Sequence, residues 1–274
     1  MFKVKKAEKR DYIRLVLGGE PSIGKTKGAF NWANNPLWID LDRRIPEEII
    51  KNCTIVEDVK DYTSLKSVLS DIKSAKEFEY DAIIIDTFTI AETFAREYSI
   101  TQDYKGKKED YANYSQGDKQ CLPMHINPLL SMLDKIAETH SCDIILIAHS
   151  EVRPAKNPNG DNYDKNMLCL CNTIRSRILQ WADYVGFAWD QVDVETVGMA
   201  KKATGKTNRK ISFQNDPRWD AKGPAHLHDD LDFDEDGRWI DAVKGVVKAS
   251  KTTNGAVTKK QTVKESVKGF STAK

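Results

Sequence analysis

Gly19, Glu20, Pro21, Ser22, Ile23, Gly24, Lys25, Thr26 and Lys27 form the stretch GEPSIGKTK. A glycine, four residues and then Gly-Lys-Thr is the spacing of a phosphate-binding loop. Successive backbone N–H groups turn inward round an anion, a lysine reaches the terminal phosphates of a nucleotide, and a hydroxyl oxygen meets Mg²⁺. Lys25 is therefore a candidate for neutralising β- and γ-phosphate charge, and Thr26 for ligating the metal. A second Gly-Lys-Thr, Gly205-Lys206-Thr207, has Ala200 where the first glycine belongs and a lysine-rich setting, and is expected to be a turn. Four more residues are candidates for chemistry. Asp86 follows three isoleucines and suits the acid that holds the metal through its water shell, with a helix-capping aspartate as the alternative. Asp40 and Asp42 end another apolar run, and Asp42, nearer the loop, is expected to orient attacking water. His149 ends a third run, as a γ-phosphate contact or as a strand-end histidine bonded to backbone.

These residues are useful only if elements bring them together. A strand at 13–17 leads into the glycine loop, and a helix over 25–33 runs until Asn34-Asn35-Pro36. Further strands are expected at 37–42, 53–56, 80–87 and 143–149, and helices at 61–76, 89–98 and 126–139. Strands that are apolar throughout and alternate with helices imply a parallel sheet covered on both faces, with active groups at the strands' C-terminal ends. The fold class expected is thus α/β, a mostly parallel sheet flanked by helices. Beyond it, residues 150–170 read as a polar loop, 175–181 as a helix and 182–189 as a strand. Residues 194–199 and 209–213 read as an antiparallel hairpin joined by 201–208.

The chain has 274 residues, 40% hydrophobic and 30% charged, with a net charge of +1. One large domain over 1–240 is expected, followed by a basic, flexible tail at 241–274 with eight lysines against Asp241 and Glu265. The tail is either solubilising or an electrostatic tether to nucleic acid. No apolar run is long enough to cross a bilayer and no signal-type segment follows the charged start, so a cytoplasmic protein without membrane contact is expected. Five scattered cysteines indicate neither a disulfide framework nor a zinc site, and Cys169-x-Cys171 and His226-x-His228 are weak metal patterns.

In this order, the glycine loop, W-I-D-L-D42, I-I-I-D86-T and L-I-A-H149-S resemble the core of RecA-type ATPases. More narrowly, they resemble phage-encoded P-loop nucleotide-binding proteins related to RecA-like recombinases and annealing proteins. The resemblance covers about residues 12–225 and implies a RecA-like fold, ATP and Mg²⁺ as cofactors, and assembly into a filament or ring on single-stranded DNA. It also leaves room for a single-strand-binding protein as partner. It gives Asp42 the role of catalytic base, where RecA itself carries glutamate, and makes His149 the γ-phosphate sensor that starts a DNA-binding loop at 150–171. Lys222, Lys210 and Arg218 become candidates for acting across a subunit interface. Arg153, Lys156 and Lys165 are the candidate DNA contacts, and Tyr104, Tyr111 and Tyr114 could stack on unpaired bases. Two rivals remain: an ATP-gated binding or annealing module with negligible hydrolysis, and a P-loop kinase for a small metabolite.

Overall fold

A computed structural model describes residues 10–197, 200–234 and 237–252, with the backbone path alone for 193–197, 200–207 and 246–252. In chain order the elements are β1 (Arg14–Gly19), α1 (Lys25–Trp32), β2 (Pro36–Asp40), α2 (Glu47–Ile50), β3 (Thr54–Ile55), α3 (Tyr62–Ser74), β4 (Ala82–Asp86), α4 (Phe88–Gln102) and α5 (Lys108–Ala112). They continue with α6 (Leu122–His140), β5 (Asp143–Ile147), β6 (Ser150–Ala155), β7 (Tyr163–Leu168), α7 (Asn172–Trp181), β8 (Tyr184–Val197), β9 (Ala200–Ser212), β10 (Leu231–Asp232) and α8 (Arg238–Thr252).

The apolar runs become strands because side chains alternate between two covered faces. From β1, β4 and β5, Val16, Ile83, Ile85, Ile144 and Leu146 join a cluster with residues of α3, α4, α6 and α7. Leu15, Leu17, Ala82, Ile84, Ile145 and Ile147 point the other way, into a cluster with α1, α2 and α8. Burying both sets is what makes continuous runs of Ile and Leu, rather than alternating ones, the strand signal here. The sheet order is β10-β9-β8-β1-β5-β4-β2-β3, parallel from β8 to β3 and antiparallel at β8-β9-β10. The α/β class read from the sequence, including the C-terminal antiparallel hairpin, is the one observed.

Register decides where the chemistry falls. Leu17 pairs with Ile147, Gly19 with Ala188, Asp86 with Ile147, and Asp40 with Asp86, so the C-terminal ends of β1, β2, β4 and β5 stop at one level. β5 lies between the loop-bearing β1 and the acid-bearing β4, so the residues just beyond Ile147 emerge between the glycine loop and Asp86.

Four local expectations need correction. The stretch 150–170 is not a loop: β6 and β7 pair over Ser150↔Leu168 to Ala155↔Tyr163, with the turn confined to the Asn-Pro-Asn-Gly region between them. Its prolines misled, since Pro154 sits in a two-stranded ribbon where one edge needs no N–H donor. The C-terminal hairpin is longer than expected, because β8 and β9 pair from Phe187↔Ser212 to Val197↔Ala200. Gly205-Lys206-Thr207 therefore lies in β9 and is not a turn. Helix α8 occupies the start of the segment read as tail, because Trp239, Ile240 and Val243 bury against the α1 side of the sheet. Residues 253–274, the rest of that tail, lie outside the described residues.

Candidate active site

The loop after β1 is shaped by positive backbone angles. Gly19 has φ 146°, and a Cβ there would stand 2.2 Å from the Ala188 carbonyl oxygen, so only glycine lets the chain leave β1 against β8. Gly24 has φ 101° and precedes α1 as its cap residue, without a side-chain hydrogen bond, and no acid occupies the first turn. The N–H groups at the start of α1 are thus left for an anion, with the helix dipole adding positive potential. Ile23 anchors the loop in the core, Pro21 and Ser22 are exposed, and the Glu20 N–H donates to the Ala188 carbonyl.

Lys25 is buried, and its ammonium donates to the carbonyls of Gly19 (3.0 Å) and Glu20 (2.8 Å). Burial lowers its pKa to about 8, with Asp86 and Glu20 opposing. Lys27 lies over the Phe30 ring at 5.6 Å. The Thr26 hydroxyl donates to an Asp86 carboxylate oxygen at 3.0 Å, joining the loop to the end of β4. Burial pushes the Asp86 carboxyl up to about 6, against the Thr26 hydrogen bond, with the charges of Asp40 and Asp42 adding to the rise. The capping alternative for Asp86 falls away: Thr87 caps α4, its hydroxyl accepting from the Ile90 N–H.

Past the end of β2 the chain keeps bonding to β4. The N–H groups of Leu41 and Asp42 both donate to the Asp86 carbonyl, at 2.7 and 3.1 Å, which brings Asp42 beside Asp86. Asp40 instead accepts from the Arg43 N–H at 2.7 Å, closing its own turn. Of the two acids Asp42 is the one presented to the site: it lies 3.8 Å from His149 Nε2 and 3.6 Å from Arg44. His149 is held by its backbone, its N–H donating to Thr89 Oγ1 at 3.1 Å and its carbonyl accepting from Cys169. Among the described residues its ring meets the Asp42 carboxylate rather than a backbone group. Burial and the Lys25 charge lower its pKa, so the imidazole is neutral at pH 7.

Sequence reasoning missed two residues here. Ser150 donates to the Gly19 carbonyl at 2.8 Å, locking the hairpin that follows His149 onto the loop, and Thr89 fixes the backbone of His149. Ser150 carries the only signal, its place one residue after a strand-end histidine. The arrangement fits Mg²⁺, which takes one or two carboxylates, a hydroxyl and substrate phosphates rather than a cage of protein ligands. A buried carboxyl with a raised pKa and two further acids nearby is short of positive charge. Among the described residues no group of three His, Cys, Asp or Glu side chains could hold a metal by itself.

The basic candidates are placed differently. The Lys222 ammonium donates to the carbonyls of Leu179, Gln180 and Ala182 at the end of α7. Lys210 pairs with Asp232, and Arg218 pairs with Asp216 while lying 4.0 Å over the Trp219 ring. Arg153 pairs with Glu151, and Lys165 lies 3.3 Å from Asp220, while Lys156 is exposed near the hairpin tip. Tyr104 and Tyr111 pack on each other, and Tyr114 is exposed.

A parallel sheet with a glycine loop at the end of one strand, a lysine and threonine opening the next helix, and an acid from a second strand on that threonine defines a P-loop nucleotide-binding protein. Residues 11–225 match the model of the AAA domain family, and the chain belongs to that family. No curated protein matches it. Among solved structures it is similar to the RadB recombinase, at 12% identity over 73% of this chain and 79% of that one, with a TM-score of 0.42. That likeness is too slight to carry residue roles across. No helix among the described residues is long and apolar enough to cross a membrane.

Proposed function

We propose that the protein is a Mg²⁺-dependent ATPase that assembles into a filament or ring on single-stranded DNA and serves recombination, annealing or replication, in a phage setting. The observation that carries the nucleotide part is the 3.0 Å bond between Thr26 and Asp86. Two elements sixty residues apart in sequence are brought to one point, and that point is where a triphosphate's metal belongs.

In this reading the N–H groups of the loop and α1 cradle the phosphates, and the Lys25 ammonium exchanges its carbonyl partners for phosphate oxygens. Bound Mg²⁺ supplies charge neutralisation of the β- and γ-phosphates, with Thr26 and Asp86 holding it. Asp42 orients a water for attack on the γ-phosphorus and takes its proton as the bond to the bridging oxygen breaks, giving ADP and phosphate. Neutral His149 stands beside Asp42 without adding a charge that would compete for the carboxylate. Because β6 begins one residue after His149 and Ser150 is bonded to the loop, the nucleotide state reaches the β6–β7 hairpin directly. Support for DNA lies in that hairpin with its exposed Lys156, and in the lysine-rich C-terminal segment. Of the three basic candidates for acting on a neighbouring subunit's nucleotide, Arg218 has the most exposed pairing, its side chain 59% accessible.

The test is ATP consumption with and without single-stranded oligonucleotide, together with particle size. DNA-stimulated turnover by a large assembly, lost in Lys25→Ala and Asp86→Ala, is expected. Normal turnover in either variant would overturn the assignment of the site, and turnover by a monomer indifferent to DNA would leave an ATPase of another purpose.

A further inference from the structure

One cleft beside the loop has no part in the chemistry above. It measures about 260 Å³ and is lined by Gly24, Lys27, Glu48, Arg209, Phe233 and Asp234 among others, and by none of Asp42, Asp86 and His149. That volume falls just below the range of roughly 300–1,000 Å³ typical of clefts for drug-sized ligands, and suits one nucleoside-sized group. The direction of a bound triphosphate follows from the loop. Lys25 and Thr26 hold its β/γ end near Asp86, and none of these three lines the cleft, whereas Gly24 and Lys27 on either side of them do, so the α end is the one that faces the cleft. A group attached to the α-phosphate is then directed past Gly24 and Lys27 into this cleft.

The two walls contributed by the C-terminal strands are built for a flat group. The Phe233 N–H donates to the Arg209 carbonyl at 2.9 Å, so pairing of the segment after β10 with β9 places both side chains together. Phe233 reaches α1 only because residue 28 is glycine: a Cβ there would lie 2.6 Å from the ring. The Arg209 guanidinium stands 3.5 Å from where a Cβ on Gly24 would be, directly over the loop. Its neighbours in sequence and space are neutralised, Lys210 by Asp232 and Arg238 by Asp234. No ion pair ties Arg209 to a carboxylate among the described residues. A planar cation at the mouth of a cleft floored by an aromatic ring is suited to lie on the face of a nucleobase.

We infer that this cleft takes the nucleoside end of the nucleotide, with the Arg209 guanidinium laid on the base and the Phe233 ring beneath it. The inference rests on the P-loop reading above but makes a separate claim: the nucleoside, and not the phosphates alone, is bound by this chain in cis. Calorimetry with ATP and with inorganic tripolyphosphate, each with Mg²⁺, separates the two. The wild-type protein is expected to bind ATP at least about tenfold more tightly than tripolyphosphate, as base stacking of roughly 1–3 kcal/mol would give. Arg209→Ala is expected to remove most of that difference while leaving tripolyphosphate affinity and melting temperature unchanged, and Arg209→Lys, lacking the plane, is expected not to restore it. Equal affinity of the wild type for the two ligands would overturn the inference and leave the phosphate loop standing. So would an Arg209→Ala variant weakened equally toward both and rescued by lysine, which would make Arg209 a phosphate ligand. Binding of neither ligand by the wild type would overturn both readings.

Discussion

Two charged regions of this molecule are built on opposite terms. At the ends of β1, β2 and β4, Lys25, Asp86 and Asp42 sit close together with their charges poorly met. Lys25 is answered by carbonyls, and Asp86 by a hydroxyl with more acids behind it. Along β7, β9 and the segment before β10, every basic candidate is answered within the chain: Lys165 by Asp220, Lys210 by Asp232, Arg218 by Asp216, and Lys222 by three helix-end carbonyls. The first region stores electrostatic cost that a ligand can relieve; these four paired cations have none left to offer. Uncompensated burial, more than the presence of charge, is what marks a binding site here.

The largest effect that would test this contrast is on rate. Asp42→Ala is expected to lower ATP turnover by about 10²–10⁴-fold, the usual worth of a positioned general base, while ATP affinity changes little. Asp42→Glu, with a longer reach to the same water, should retain turnover. Unchanged turnover in Asp42→Ala would detach that acid from the chemistry and leave only binding in this region.

Next comes stability. The Asp86 carboxyl sits at about 6 against an ordinary 3.8. Below about pH 4 it is protonated in folded and unfolded chains alike and costs nothing. Between about pH 4 and pH 6 the unfolded chain ionises while the folded one stays protonated, so stability falls by a total of about 3 kcal/mol and is level above that. Asp86→Asn without nucleotide is therefore expected to melt above the wild type at pH 7.5, by roughly 6–12 °C for a domain of this size. The two should converge near pH 4, and the added stabilisation by Mg²⁺ with ATP should vanish in the variant. A variant that melts lower than the wild type at pH 7.5 would show that the carboxylate is satisfied in place. For Lys25→Ala, the loss of one charge-assisted hydrogen-bonding group, about 1.5–3 kcal/mol, is expected to weaken ATP binding by about 10- to 100-fold in calorimetry. Affinity within threefold of the wild type would mean that the backbone alone holds the phosphates.

The first region was readable in sequence because its parts are short-range: a glycine spacing and acids or a histidine at the ends of apolar runs. Parallel pairing then aligns strand ends without further information. Which acid faces the site was less legible, since it depended on two N–H groups of Leu41 and Asp42 both finding the Asp86 carbonyl. The pairing of the second region was not legible in sequence. Lys165 and Asp220 are fifty-five positions apart and Lys210 and Asp232 twenty-two, and only the fold brings them together. Charge counts along the chain record the cations and not their neutralisation. The β6–β7 ribbon escaped notice because its strands carry a proline and alternate polar residues on a sheet of two strands, without the apolar run that marked the others.

The smallest effects fall where that second region meets the tip of the β6–β7 hairpin. Lys156 is exposed on the β6–β7 hairpin, whereas Lys165 is 13% accessible and shares Asp220 with Arg175. If single-stranded DNA runs along this hairpin, a free lysine releases one counterion on binding, and a lysine already held by a carboxylate does not. Lys156→Ala is then expected to lower the salt dependence of oligonucleotide binding by about one unit of slope, uniformly across sequences. Lys165→Ala should leave that slope alone and instead lower the melting temperature slightly, because Asp220 keeps Arg175. Fluorescence anisotropy at several salt concentrations reads the difference. A larger change of slope for Lys165 than for Lys156 would mean that DNA draws the ammonium away from Asp220, and the distinction between a stored charge and a spent one would fail where it is most easily seen.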